Sequence, residues 1–494
     1  MKYSRLIVLA VVLSLLSSCK GQPAPPISSV PVPEREVKET FIAEVDTSVI
    51  LPYSLRLHPQ TRRIAYGVQT EDGQYMVVNG ERHDTYEEVC GWTFVYSPDG
   101  EHDAYVAVEE KKAFMVVDRE ESAKYDDIDW TSPLFTAGSQ HLVYVAKSGD
   151  GWFAVVDGEE KKAYDSIAMG SLRVSANGDR MAYVAQIGDK WIVVDGNREG
   201  KAYDEIKPFS ILFTEDGNSM AYVARSGDKH FVVLNGTEGK HYDGILTETL
   251  VFSPDGQKLA YAANDDKSYV MVVDSNEIGR HDNISWAPPV FSPDSQRFVY
   301  AAMNYTDNKW YIVVDGKAGK KFDFVDIDSI FFSPDSQRLA YYGFLAKPGA
   351  QGEEGDWYVV IGENRGRPYA DVVIGGFVFS PDSQSLAYIA SDSLNWFVVW
   401  DNREGKRYDG IGIGTLTFSS DSKWVSYVAK TGDKTTVVVN NESGNLYDDI
   451  ISKWGVEVKF DSADTLSYFA VKDRGVYFVE ETLHEKPAAK ETGE

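Results

Sequence analysis

One tyrosine recurs along this chain at a fixed interval. Tyr66, Tyr105, Tyr144, Tyr183, Tyr222, Tyr261 and Tyr300 follow one another every 39 residues, and Tyr341, Tyr388, Tyr427 and Tyr468 continue at spacings of 41, 47, 39 and 41. An aromatic followed by an acid keeps the same phase, at Tyr125-Asp126, Tyr164-Asp165, Tyr203-Asp204, Tyr242-Asp243, Phe322-Asp323, Tyr408-Asp409 and Tyr447-Asp448. Two independent markers in register over most of the chain mean one supersecondary unit repeated about eleven times. That excludes most architectures otherwise open to 494 residues.

The unit is plainest from Leu250 to Ile284, LVFSPDGQKLAYAANDDKSYVMVVDSNEIGRHDNI. LVFSP reads as a short apolar strand, PDG as a turn, KLAYAA as a second strand and YVMVVD as a third, with a closing strand after SNEIG. Four short strands at a period near 40 are the signature of propeller blades. The expected fold is therefore all-β, a propeller of about eleven four-stranded repeats. Even spacing favours one large ring; two rings, or an open superhelix, are the alternatives. FIAEVDTSVI forms an orphan strand before the first unit, and the last unit offers only VEVKF, LSYFAV and GVYFVEE. Mutual completion of the two ends would close the ring and hide its edges.

Residues 1–18 read as a signal peptide rather than part of the fold. Lys2 and Arg5 precede LIVLAVVLSLL, an apolar run too short for a typical span. Leu16-Ser17-Ser18-Cys19 resembles the lipobox of bacterial lipoproteins, which implies acylation at Cys19 and stable membrane anchoring. Lys20, where aspartate would signal inner-membrane retention, favours the outer membrane. Residues 19–40 are Pro- and Ser-rich and read as a tether, 41–482 as the propeller and 483–494 as a flexible tail. With Cys19 lipidated, Cys90 has no partner for a disulfide and is expected to be a buried, inert thiol. The net charge is −27, and since the signal segment holds two cations and no acid, the remainder stands at −29. Such a surface disfavours nucleic acid, which demands cationic neutralisation.

Ser97-Pro98-Asp99-Gly100, Ser253-Pro254-Asp255-Gly256, Ser292-Pro293-Asp294-Ser295, Ser333-Pro334-Asp335-Ser336 and Ser380-Pro381-Asp382-Ser383 share one turn. Its Asp is expected to accept nearby backbone amides. This turn followed by LAY resembles the WD40-like, or PD40, repeat of TolB and of prolyl oligopeptidase propellers, most clearly around Tyr261, Tyr300, Tyr341 and Tyr388. The resemblance implies a propeller that serves as a binding scaffold. Two departures limit it: the tether leaves no room for TolB's N-terminal α/β domain, and no G-x-S-x-G elbow is present.

Other chemistry is sparse. The eight histidines show no metal-ligand spacing, so no metal and no cofactor are expected. Asp127-Ile128-Asp129 and Asp326-Ile327-Asp328 are expected to be solvated acids. Trp152, Trp191, Trp310, Trp357 and Trp396 are expected to pack between blades rather than line a glycan rim. The loop between second and third strands is short and polar in most units but lengthens in the eighth to Gly343–Asp356. Phe344 and Leu345, expected to be exposed, with Lys347, Glu353, Glu354 and Asp356, make it the candidate binding loop. The expected function is a lipid-anchored, extracytoplasmic scaffold, not an enzyme, that binds another protein of the bacterial envelope. Glycan or peptide binding is the alternative, and an enzyme using acids in the central channel a more distant one.

Overall fold

The computed structural model describes residues 31–44, 50–58, 60–349, 354–452 and 458–486. Cys19, most of the expected tether and Glu353 lie outside these residues. The described chain forms eleven separate antiparallel sheets. We number these blades 1 to 11 by the tyrosine of the second strand, from Tyr66 to Tyr468. Blade 2 is typical: Glu88–Tyr96, Asp103–Glu109, Lys112–Val117 and Glu120–Glu121 pair in chain order. The aromatic–acid marker follows the outer strand, and the residues after it open the next blade. The second strand carries no polar alternation, because Ala104-Tyr105-Val106-Ala107 is buried throughout. Both faces of the blade are covered by neighbours, which is why these strands read as continuous apolar runs.

Eleven apolar clusters fill the spaces between neighbouring blades. Between blades 2 and 3, for example, Val106 and Met115 meet Tyr144 and Phe153. Another joins the ends of the chain, with Phe469 and Phe478 of blade 11 against Leu57 and Ile64 of blade 1. Eleven interfaces among eleven blades is the condition for a single closed ring, and that decides between the alternatives. The recurrent tyrosine sits in these interfaces. Its ring meets the marker aromatic of the preceding blade edge-on, as in Tyr125–Tyr144 at 6.2 Å and Tyr447–Tyr468 at 6.0 Å.

Strand exchange between the ends closes the ring, though not at the expected boundaries. Pro33–Glu44 pairs antiparallel with Gly475–Glu485, from Pro33↔Glu485 to Glu44↔Gly475, and becomes the outer strand of blade 11. It begins inside the stretch read as tether, and its partner runs into the stretch read as tail. The inward positions of this strand include Arg35 and Glu39 rather than apolar residues, so hydropathy gave no strand signal there. Charge pairing does that work instead. Arg35 Nη1 meets Glu481 Oε2 at 2.5 Å, Tyr468 Oη donates to Glu481 Oε1 at 2.6 Å, and Tyr447 Oη donates to Glu39 Oε1 at 2.8 Å.

Two further devices fix neighbouring blades. In the turn motif Asp99 Oδ1 accepts from Ser97 Oγ at 2.5 Å and from the Glu101 amide at 3.0 Å, as expected. The turn also reaches across the interface: the Asp335 amide donates to Ser383 Oγ of the next blade at 2.9 Å. The marker acid does the same on the opposite face. Asp243 Oδ1 takes Lys229 of its own blade at 2.5 Å, while Oδ2 accepts the Asp266 amide of the following hairpin at 2.7 Å. Lys229 and that amide hold the Asp243 carboxyl below its ordinary value.

Candidate functional site

First strands lie innermost, since neighbouring first strands touch and each pairs only with its own second strand. Their free edges bound the central channel. Each is interrupted midway. In blade 2 the ladder to the second strand breaks between Cys90 and Val95, and in blade 3 the strand is split into Asp127–Ile128 and Leu134–Phe135. A buried hydroxyl replaces the lost main-chain pairing: Thr93 Oγ1 donates to the Cys90 carbonyl at 2.7 Å and accepts the Val106 amide at 2.9 Å. Ser54, Ser132, Ser171, Ser210, Thr249 and Thr415 bridge their own blades in the same way. This third periodic marker, a Ser or Thr mostly every 39 residues, was present in the sequence and unread.

The interruptions carry an apolar belt. Tyr53, Trp92, Trp130, Met169, Phe209, Trp286, Ile374 and Ile413 all project from them and are exposed, Tyr53 at 75% and Phe209 at 70%. Members reach the neighbouring blade in two places. The Trp92 and Trp130 rings lie 6.0 Å apart, edge to face, and Phe209 rests on Gly170, where a Cβ would meet its ring at 2.6 Å. Blade 6 offers Glu248 instead, and a depression of about 490 Å³ opens there between Lys207 and Trp286. Lys207 and Arg225 both bind Glu205, at 2.5 and 2.8 Å, which keeps that carboxyl below its ordinary value.

The residues expected to form the binding loop are arranged differently. Phe344 and Leu345 do not stand exposed in a loop. They lie half-buried near the end of the second strand, Leu339–Ala346, with the Phe344 ring 5.3 Å from Trp357 and Leu345 in the core between blades 7 and 8. Asp356 pairs opposite Leu345 in the third strand. The hairpin has grown by extending its ladder, so the sequence placed the turn too early. Lys347 and Glu354 are exposed at its tip, where the Lys347 amide donates to the Glu354 carbonyl at 2.9 Å. The five third-strand tryptophans pack into interblade cores.

The two acidic runs are corrected in part: Asp127 and Asp328 are exposed, as expected, but Asp129 and Asp326 are buried in the first-strand segments of blades 3 and 8. Asp129 Oδ1 accepts from Thr131, and its Oδ2 accepts the Gly170 amide of blade 4 at 2.9 Å, so it clamps two blades together. Ser329 Oγ donates to Asp326 Oδ2 at 2.5 Å, and burial pushes that carboxyl up. The two acids sit five blades apart and form no dyad. Among the described residues no group of three or more His, Cys, Asp or Glu is placed to hold a metal. Cys90 is buried in the first strand of blade 2, and burial pushes its thiol up to about 12.

Fold and belt together define an eleven-bladed β-propeller with an apolar inner rim. No protein-family model matches the chain, and no curated protein matches it. Solved structures with a similar fold include a eukaryotic initiation factor, 12% identical over 64% of this chain and 88% of that one, TM-score 0.36. The Dos1 propeller is 11% identical over 62% of this chain and 90% of its own, TM-score 0.32. The propeller domain of the Trilobed protease from Pyrococcus furiosus is 14% identical over 55% and 92%, TM-score 0.28. At such scores they contribute nothing to the reading of the site.

Proposed function

We propose that this protein is a binding scaffold of the bacterial cell envelope, anchored by lipid at Cys19, whose inner rim docks another envelope protein. The belt supports this reading. Eight blades present an apolar side chain at one equivalent place, where nothing in the fold calls for one. Exposed apolar side chains gathered along one rim mark an interaction surface, and Tyr and Trp are enriched among the residues that dominate binding energy in protein interfaces. The turn motif supports kinship with PD40 repeats of the TolB type, and Cys19 with its preceding segment supports attachment to the outer membrane. Lys347 and Glu354, both exposed, are a secondary contact in this reading. No catalytic role is proposed.

Mild crosslinking in intact cells tests the docking. Wild type should capture one envelope protein in stoichiometric amount, and a Trp92→Ala, Trp130→Ala, Phe209→Ala variant should lose it. Capture unchanged in the variant, or no protein captured by either form, overturns the reading in favour of glycan or peptide binding. Radiolabelled palmitate should enter wild type and not Cys19→Ala.

A further inference from the structure

Blades 7 and 8 meet around a cavity of about 560 Å³, larger than the corresponding grooves between blades 5 and 6 (about 380 Å³) and blades 2 and 3 (about 400 Å³). The difference lies in two departures from the repeat. Glu238 and Glu121 line the other two grooves, and Ala318 takes that place here. A side chain and a negative charge are both missing. The second departure is Phe322, which stands where most blades carry the marker tyrosine and blade 6 carries His281.

The consequence falls on Tyr341, which lines the cavity and is 3% exposed. In blades 7 and 9 the equivalent hydroxyl is engaged by the preceding blade, Tyr300 by His281 Nε2 at 2.8 Å and Tyr388 by Tyr369 Oη at 3.2 Å. Tyr341 meets Phe322 edge-on at 6.1 Å, and its Oη takes no hydrogen bond among the described residues. Tyr144, in the groove between blades 2 and 3, also lacks a partner among the described residues but is sealed off, whereas the Tyr341 hydroxyl opens on the cavity and can donate to a ligand there.

The charge of the cavity is also reversed. Arg297, Lys317 and Lys320 face Asp315 and Glu363, an excess of one cation, whereas the groove between blades 2 and 3 has Asp118, Glu120, Glu121 and Asp157 with no lysine or arginine. Arg297 Nε already pairs with Asp315 at 3.2 Å, and Lys320 Nζ donates to the Glu363 carbonyl at 2.6 Å. Lys317 has no partner among the described residues. Ile312, Val314 and Leu339 supply an apolar wall.

We propose that this cavity binds a small organic anion, a carboxylate on a short apolar body. The Tyr341 hydroxyl donates to the carboxylate, Lys317 and Lys320 supply the charge, and the apolar wall covers the body. A volume of this size lies within the usual range for small-molecule sites. The site does not depend on the docking reading. Calorimetric titration of the full chain with 4-phenylbutyrate and its neutral counterpart 4-phenylbutanol tests it. The carboxylate should bind and the alcohol should bind at least about tenfold more weakly, the effect of one hydrogen bond to a charged group. Tyr341→Phe should cost about ten- to a hundredfold, and Ala318→Glu, which restores the repeat, should abolish binding. Lys317→Glu, an exposed position that cannot trouble folding, should weaken the carboxylate alone. The proposal fails if wild type ignores the carboxylate at millimolar concentration, if the alcohol binds equally well, or if Lys317→Glu binds unchanged. Thermal unfolding of each variant shows whether a lost signal is a lost fold, and Lys317→Glu then decides.

Discussion

Replacing Arg35 by methionine tests how the ring closes. Glu481 is fully buried and keeps two partners, Arg35 Nη1 at 2.5 Å and Tyr468 Oη at 2.6 Å. Arg35→Met leaves that carboxylate with the tyrosine alone and also removes the bond from Nη2 to the Glu442 carbonyl of blade 10. Breaking one side of a buried pair costs about 3–5 kcal/mol, because the stranded charge cannot regain its water. The loss is local to the pairing of Pro33–Glu44 with Gly475–Glu485, so it should appear first as opening of blade 11. At about 1.4 kcal/mol per factor of ten, amide hydrogen exchange along 475–485 should quicken by roughly two to three and a half orders of magnitude. Exchange in blade 5, on the far side of the ring, should not change. The companion variant Arg35→Met, Glu481→Leu, Tyr468→Phe removes all three polar partners together and should recover most of the loss, since apolar replacement of a buried pair is often neutral or better. Acceleration below tenfold in the single variant, or a triple variant as labile as the single, would refute the claim that this pair secures the ring.

The docking belt predicts that Trp92→Ala with Trp130→Ala removes partner capture while shifting Tm by no more than about 1 °C, since exposed positions cost little; a large fall in Tm would make these residues structural. Acid should weaken the ring. Asp204, Asp243 and Asp448 are held below their ordinary value of 3.8 by Lys190, Lys229 and Lys434 and by amides of the next blade. A depressed folded value contributes stability that is complete above the unfolded value and lost as pH falls through the folded one. Calorimetry should therefore show a steady Tm down to about pH 4.5 and a decline below about pH 4, and a Tm unchanged to pH 3 would contradict the staples. Ser383 occupies a left-handed conformation, φ 59°, while its hydroxyl accepts the Asp335 amide. Ser383→Ala keeps the backbone cost and loses the bond, so it should destabilise by about 1 kcal/mol in denaturant titration, whereas Ser383→Gly, which relieves the backbone, should be within about 0.5 kcal/mol of wild type. Cys90 should react with a thiol reagent only on unfolding, and fast labelling of the native protein would overturn its burial.

The fold was legible because a propeller repeats its core as well as its topology. Tyrosine every 39 residues and the aromatic–acid pair are both interface residues, so counting them counted blades. The belt escaped notice because its members differ in type and shift by a residue, from Trp92 beside Thr93 to Trp130 two before Ser132. Their common property is position in a strand interruption, which exists only once the first strand is paired with the second. The burial of Asp129 and Asp326 was invisible for a related reason. A carboxylate reads as solvent-exposed unless its hydroxyl and amide partners are known, and for Asp129 one of them comes from the next blade. The closing strand was misplaced at both ends because Arg35, Glu39 and Glu481 satisfy one another rather than water.

A ring of near-identical wedges makes departures from the repeat informative, because closure requires every interface to be filled whatever the local sequence. Drift scattered at random would spread substitutions evenly around the circle. Here they gather. Phe322 and Ala318 in blade 7, Arg365 and the lengthened hairpin in blade 8, and Ala370 in place of the marker acid before blade 9 fall in one arc. Each forfeits something most blades keep: a tyrosine pair, a glutamate in the groove, or the staple from acid to the next hairpin; elsewhere Arg82 and Ser443 replace the glutamate and His281 the tyrosine, one departure to a blade. The packed clusters at interfaces 7–8 and 8–9 persist, with Tyr342 stacked on Phe377 at 4.0 Å, so the arc is not failing structurally. Interfaces that remain packed while giving up their polar fastenings, and that open a cationic cavity at the same place, are better explained by selection for a ligand than by loss of constraint. If that is right, restoring the repeat across the arc with Ala318→Glu, Phe322→Tyr and Ala370→Asp should raise Tm by several degrees, each change regaining about 1 kcal/mol, and abolish carboxylate binding together. A restored protein that is no more stable would mean the repeat's fastenings contribute little anywhere in the ring, and the clustering would lose its meaning.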